Sequence, residues 1–240
     1  MRVALVTGAN KGIGRAIAER LLRDGFALGF ATREPDEDTA NELRAFGELH
    51  EVSGDLTDAE VPVRLVREVA EHFGRLDVLV NNAGLSTAKP ALELTVEDFD
   101  KTFDVDVRAA FLASQEAARR MTDGGVIVNI TSVHQHVPRP GFAVYAPAKA
   151  ALGMQTRSLA LERAPKIRVV AVAPGAIATE RNEEADELRP EIPLGRPGTP
   201  EEVAAAVAWL VSDEAGYVTG TTLLIDGGLA QQVVQRPATP

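Results

Sequence analysis

The chain has 240 residues, no cysteine and a formal net charge of −10. Disulfides, a thiolate nucleophile and a zinc–thiolate site are excluded, and the negative balance argues against nucleic acid as a partner. With no apolar run near the ~20 residues that span a bilayer and no signal-peptide pattern, one cytoplasmic domain over residues 1–240, without a membrane partner, is expected.

Val3-Ala4-Leu5-Val6 is a continuous apolar run, the pattern of a strand buried on both faces in a parallel sheet. Thr7 to Gly14 follows, with Gly8, Gly12 and Gly14 spaced Gly-x-x-x-Gly-x-Gly, and Arg15 to Arg23 then reads as a helix. Glycines permit a tight turn and let backbone N–H groups approach a phosphate at the helix N-terminus. The spacing differs from the common Gly-x-Gly-x-x-Gly fingerprint, but its place between strand and helix is the confirming context.

Phe26 to Ala31 reads as a second strand, ending in Thr32-Arg33. A nicotinamide cofactor lacking the 2′-phosphate is usually held there by an acid on the ribose hydroxyls. Position 32 has no acid, and Arg33 and Lys11 supply two cations, which favours NADP(H) over NAD(H); the alternative is that both are solvated surface charges, and Glu34 counts against the phosphate reading. Asp36 to Phe46 looks helical, and Glu48 to Ser53 is a third strand. Beyond it, Asp55 can accept a hydrogen bond from an adenine amino group.

A helical repeat begins at Asp58, and Leu76 to Val80 is a fourth strand ending in Asn81-Asn82-Ala83-Gly84, where asparagines tie strand ends and small residues border a ligand. Thr95 is expected to cap one long helix running to Met121, with an apolar face of Phe99, Phe103, Val107, Ala110 and Phe111. Asp106 falls on this stripe. A buried acid is costly unless paired, so Asp106 either reaches solvent through rotation of the helix or serves a site.

Gly125 to Ile130 is the fifth strand, with Thr131-Ser132 at its carboxyl end, where open α/β sheets bind ligands. His134 and His136 lack a third ligand of matching type, so no metal site is expected. Tyr145 and Lys149 stand four apart, on one face of a helix that should start near Ala143 to Ala146, because Pro147 is tolerated only in a first turn. A nearby ammonium favours a phenolate, and burial opposes it; if the cation wins, Tyr145 becomes a usable general acid/base. Arg168 to Ala173 and Leu223 to Ile225 complete seven strands. Between them, residues 180–197 are charged and proline-marked, and read as a mobile flap over the site. A helix starts at Pro200, and the tail 235–240 is expected to be disordered.

Five motifs in this order, Thr7 to Gly14, Asn81 to Gly84, Ser132, Tyr145 with Lys149, and Pro174-Gly175 with Thr179, resemble the short-chain dehydrogenase/reductase family over nearly all of Arg2 to Gly228. The resemblance implies an NAD(P)-dependent oxidoreductase on a Rossmann-type, doubly wound α/β fold, seven parallel strands with helices on both faces. It makes Tyr145 the general acid/base and gives Lys149 the tuning of that phenol and a bond to the nicotinamide ribose. Ser132 would hold the substrate oxygen, and Thr179 the nicotinamide carboxamide. Along the cofactor groove it places Gly8, Asn10, Lys11, Gly12, Ile13 and Gly14; Arg33, Asp55 and Leu56; Asn81, Ala83 and Gly84; and Pro174, Gly175, Ile177 and Thr179.

Asp106 stands where the family usually has an asparagine that kinks the helix and whose carbonyl helps hold a water on the lysine; a carboxylate there can instead pair with Lys149. It is the fourth candidate catalytic residue. Ala148 replaces a frequent serine, with little effect expected. Within the family, Ser132-Val133-His134, Pro138, Pro140-Gly141 and the segment 175–179 look like the glucose 1-dehydrogenase branch, whose neighbours include 3-oxoacyl-carrier reductases. Glu180, Glu183, Glu184, Asp186 and Glu187 outnumber Arg181 and Arg189 in the flap, which should repel an anionic acyl thioester and suit a neutral ketone, polyol or sugar. The alternatives are a 3-oxoacyl thioester reductase and an inactive NADP(H)-binding sensor or scaffold. Family membership further implies a homotetramer.

Overall fold

A computed structural model describes residues 1–180 and 183–231; for residues 183 and 184 it describes the backbone alone. Seven strands, β1 (Val3–Thr7), β2 (Ala27–Thr32), β3 (Leu49–Ser53), β4 (Val78–Asn81), β5 (Gly125–Ile130), β6 (Ile167–Pro174) and β7 (Thr222–Ile225), form one sheet in the order 3-2-1-4-5-6-7. All six pairings are parallel. The order reverses between β1 and β4, which places a crevice at the carboxyl ends of those two strands.

Helices cover both faces because both faces of β1 are apolar: every residue of Val3–Thr7 is buried. On one side α1 (Gly12–Arg23), α2 (Glu37–Arg44) and α7 (Pro200–Val211) press Ile17, Leu21, Leu43 and Val207 against Val6, Phe30 and Val80. On the other, α3 (Val61–Phe73), α5 (Ala110–Arg120) and α6 (Tyr145–Arg163) bring Leu65, Val69, Ala113, Ala117 and Ala160 onto Leu5, Leu79 and Ile127. Burying a side chain such as Leu or Ile stabilises the fold by roughly 1.5–3 kcal/mol. Local signals set the ends: α4 (Val96–Phe103) and α7 open on capping boxes, Thr95 with Asp98 and Thr199 with Glu202. No described helix is long and apolar enough to cross a membrane.

The helix expected to run unbroken from Thr95 to Met121 is interrupted. Between α4 and α5 lies a π-helical turn, Asp104–Ala109. Such a turn admits an extra residue per cycle and clusters at functional sites. Its buried face is only partly the one the aromatic spacing suggested: Ala110 is buried, and Phe103 and Val107 are half-buried. Val105, Asp106, Ala109 and Ala113 are buried, whereas Phe99 and Phe111 are 47% and 38% exposed. The phenylalanines face outward, and the aspartate faces in. The other boundaries fall within a few residues of expectation, and α6 begins at Tyr145, placing Pro147 in its first turn.

Apart from residues 181 and 182, the segment read as a flap is described. A 3-10 helix, Glu183–Glu191, lies there, with Ala185 and Ile192 buried, and Leu194 donates its N–H to the Gly227 carbonyl. Arg181 and the tail 235–240 lie outside the described residues.

Candidate active site

The β1–α1 turn forms one wall. Gly8 takes the left-handed conformation, φ 64°. A Cβ on Gly14 would stand 2.1 Å from the Gly8 carbonyl oxygen and 2.4 Å from Asn82 Nδ2, so only glycine fits. The first turn of α1 carries no acidic residue, and its N-cap Lys11 makes no side-chain capping bond. The opening N–H groups of α1 are therefore free of a side-chain cap beside a glycine turn, which fits a dinucleotide pyrophosphate. A Cβ on Gly12 would approach Thr179 Cγ2 at 3.5 Å, so the loop after β6 faces this turn.

The wall is tied to β4. Thr7 Oγ1 accepts N–H bonds from Asn82 and Ala83, both at 3.0 Å, and Asn82 Nδ2 donates to the carbonyls of Thr7 (2.9 Å) and Gly8 (3.1 Å). Asn81 behaves differently from its neighbour. Its buried Nδ2 donates to Asn129 Oδ1 at 2.8 Å and Ser114 Oγ at 3.0 Å, and Asn129 Nδ2 donates to Thr156 Oγ1 at 2.9 Å. Asn81 is thus a strut between β4, β5 and two helices, with its side chain committed away from the groove. Ile177 is likewise buried in the core, and Ile13 packs on it.

Past the carboxyl end of β2, Arg33 is 74% exposed and pairs with Asp55 Oδ2 at 3.0 Å. Asp55 Oδ1 accepts from the Thr57 N–H and hydroxyl, bonds that with Arg33 hold its carboxyl below the usual range. Asn10 Nδ2 donates to Asp36 Oδ2 at 3.1 Å, fastening the glycine turn to the N-cap of α2. Lys11 is exposed and Leu56 half-buried. Pro174 ends β6, and Gly175 N–H donates to Ile225 O.

The candidate catalytic residues begin just past β5. Ser132 is buried just past that strand and caps a short turn by accepting the His134 N–H at 3.2 Å. Tyr145, the first residue of α6, is partly exposed. Phe142 lies 5.7 Å from its ring, and His134 meets it edge-on at 6.2 Å. Burial lowers the His134 pKa, so that ring is neutral at physiological pH. Lys149 sits one turn into α6, fully buried, with Nζ 5.6 Å from the Tyr145 ring centroid. Nζ donates to Ile130 O at 3.2 Å and lies 3.3 Å from Asp106 Oδ2.

Asp106 is therefore neither solvated nor idle. It is 1% exposed, its Oδ1 accepts the Leu85 N–H at 2.7 Å, and its Oδ2 has Lys149 in ion-pair reach without the alignment of a hydrogen bond. Gly84 closes over the pair, since a Cβ there would lie 3.0 Å from Lys149 Nζ and 3.2 Å from Asp106 Oδ1. Burial raises the Asp106 carboxyl against the pull of Lys149. For Lys149, burial works downward, but Asp106, then Tyr145, outweigh it and raise the ammonium. Burial and pairing thus oppose each other at both groups. The charged pair is the consistent state, because a neutral Asp106 would leave the buried ammonium with only a carbonyl for company.

The structure thus gathers Ser132, Tyr145, Lys149 and Asp106 at one end of the groove and the glycine turn, Arg33 and Asp55 at the other. Sequence reasoning missed the anchoring by Ile130 O, the Leu85 N–H and the Asn129–Thr156 bond, because main-chain partners and buried amides leave no local signal. Among the described residues, no group of three His, Asp or Glu is placed to hold a metal.

The family model described as Enoyl-(Acyl carrier protein) reductase matches residues 8–230. Glucose 1-dehydrogenase 2 of Bacillus subtilis is 41% identical, over 95% of this chain and 94% of its own. The crystal structure of an acetoin dehydrogenase from Salmonella typhimurium matches at TM-score 0.91 and 40% identity, covering 99% of both chains. A short-chain dehydrogenase from Burkholderia cenocepacia, solved in complex with NADP, matches at TM-score 0.92 and 38% identity, over 96% of this chain and 98% of that one. With the sheet order and the matched span, these similarities establish that the chain belongs to the short-chain dehydrogenase/reductase family, NAD(P)-using oxidoreductases that act on CH–OH groups.

Proposed function

We propose that this enzyme interconverts a small neutral ketone and its secondary alcohol, with a polyol or sugar as the related substrate class, and prefers NADP(H). The observation that carries the reading is a buried ammonium next to the Tyr145 ring, bonded to the Ile130 carbonyl at the carboxyl end of β5, two residues before Ser132. When bound, NADP(H) supplies or accepts the hydride. The α1 N-terminus with Gly8, Asn10, Gly12 and Gly14 would hold its pyrophosphate, Asp55 and Leu56 its adenine, Ala83 and Gly84 its middle, and Lys149 its nicotinamide ribose. Pro174, Gly175, Ile177 and Thr179 would flank the nicotinamide. Arg33 and Lys11 supply positive charge at the 2′-phosphate end, and Arg33 is already oriented by Asp55.

At the reacting carbon, Ser132 Oγ holds the substrate oxygen, and the Tyr145 hydroxyl gives that oxygen a proton during reduction and takes it back during oxidation. Orientation and a matched proton donor are the protein's share of the rate. A neutral substrate fits the net charge of −10 and the names of the glucose and acetoin dehydrogenase relatives. The runner-up, a 3-oxoacyl thioester reductase, is favoured by the acyl-carrier description of the family model. A homotetramer is proposed on the partly exposed apolar residues Phe99, Phe111, Met154 and Leu161 of α4, α5 and α6. The working compartment is taken to be the cytoplasm.

Mixing the protein with NADPH or NADH and a carbonyl panel, followed at the nicotinamide absorbance, tests the reading. Turnover of neutral ketones with NADPH supports it. Selective turnover of 3-oxoacyl thioesters favours the runner-up, and tight cofactor binding without any turnover would make the chain a sensor or scaffold.

A further inference from the structure

We propose that the Asp106 carboxylate is a counter-charge that weakens the pull of Lys149 on the Tyr145 proton, extending to higher pH the range in which Tyr145 stays protonated, the form that carbonyl reduction needs. The inference rests on the reading of Tyr145 as the acid/base, and it assigns Asp106 a positioning role exerted through Lys149.

Lys149 Nζ lies 5.6 Å from the Tyr145 ring centroid, and Asp106 Oδ2 lies 3.3 Å from Nζ. The carboxylate oxygen is therefore no farther than about 9 Å from the ring. Both charges are buried, so neither is screened by salt. A lone ammonium at that distance favours the phenolate; an adjoining carboxylate cancels part of that field, since its opposite charge acts from within about 9 Å. Gly84 seals the pair from above, and Leu85 N–H and Ile130 O fix its two ends, so the carboxylate cannot swing clear.

The other groups facing Tyr145 do not supply a competing charge. His134 on the turn after β5 is held neutral by burial, and Arg139 acts on it from farther along the same loop. On the π turn, Asp104 and Arg108 pair with each other. An asparagine at 106 would keep the bond from Leu85 N–H while removing the negative charge.

The test exploits composition. The chain has two tyrosines, and Tyr217 is fully exposed, so Tyr217→Phe leaves Tyr145 as the one phenol to titrate. Near-ultraviolet phenolate absorbance is followed against pH in this background, with and without Asp106→Asn, and needs neither cofactor nor substrate. The midpoint should fall by about one pH unit in the asparagine variant. Asp106→Ser removes the same charge with a smaller side chain and must shift the midpoint in the same direction, which covers the case of an asparagine variant that misfolds. In turnover, the alkaline-activated limb of alcohol oxidation should move down by a similar amount. A midpoint that stays put or rises overturns the inference. An inactive protein whose midpoint falls as stated would defeat the proposed function instead and leave the electrostatic assignment standing.

Discussion

Replacing Lys149 by methionine keeps an unbranched apolar stem and removes the ammonium. Asp106, 1% exposed, then loses its ion-pair partner and keeps one hydrogen bond, from Leu85 N–H at 2.7 Å. Removing one member of a buried pair costs about 3–5 kcal/mol, because the survivor stays charged in a site that cannot solvate it. The penalty must depend on pH. Burial already raises the Asp106 carboxyl above 3.8, and without Lys149 it rises further. A folded-state value above the unfolded one gives stability that is complete below the unfolded value and lost as pH rises through the folded one. The deficit of Lys149→Met should therefore be larger at about pH 8 than at about pH 5, because it shrinks as falling pH protonates Asp106. In the unsubstituted chain Lys149 is itself raised, so its contribution persists through this range and is lost only above 10.5. Thermal melts by circular dichroism should place the variant roughly 10 °C lower at the alkaline end, taking 2–4 °C per kcal/mol for a chain of this size. Adding Asp106→Asn should restore much of the loss. An equal deficit at both pH values, or none, would refute the buried-pair reasoning.

Tyr145→Phe should lower turnover roughly 100- to 10,000-fold while leaving cofactor affinity, read by nicotinamide fluorescence, within a factor of a few; retained turnover would remove Tyr145 from the chemistry. Arg33→Ala should weaken NADPH binding about tenfold more than NADH binding, the worth of one partly exposed charge-assisted contact, and equal effects in calorimetry would remove Arg33 from the 2′-phosphate site. Thr7→Val leaves the Ala83 N–H without its acceptor and the Asn82 N–H with the Val80 carbonyl alone, and should destabilise the fold by about 1–3 kcal/mol in urea titrations; no loss would mean that water replaces the hydroxyl. Thr199→Ala should cost about 1 kcal/mol by removing the cap of α7.

Much of this molecule is determined by local chemistry that the sequence carries openly. Val3 to Val6, the glycines at 8, 12 and 14, and Pro147 in the first turn of α6 locate a strand, a phosphate turn and a helix start, because each depends on its neighbours' sterics and polarity alone. The spacing of Tyr145 and Lys149 fixes their shared face for the same reason. Tertiary structure decided what depends on distant partners. The stripe through Phe99, Phe103 and Phe111 reads as a buried face, yet Phe99 and Phe111 are exposed while Asp106, on the same stripe and within the π turn, is buried. Asn81 and Asn82 are adjacent and chemically identical, yet one braces the interior and the other the glycine turn, because alternate residues of a strand end point to opposite sides. Asp106 in isolation could be solvated or functional. Only the arrival of Lys149 from 43 residues away, with Leu85 N–H and Gly84 closing around them, makes it a charged and buried partner, since the cost of burying a charge is settled by what surrounds it in space.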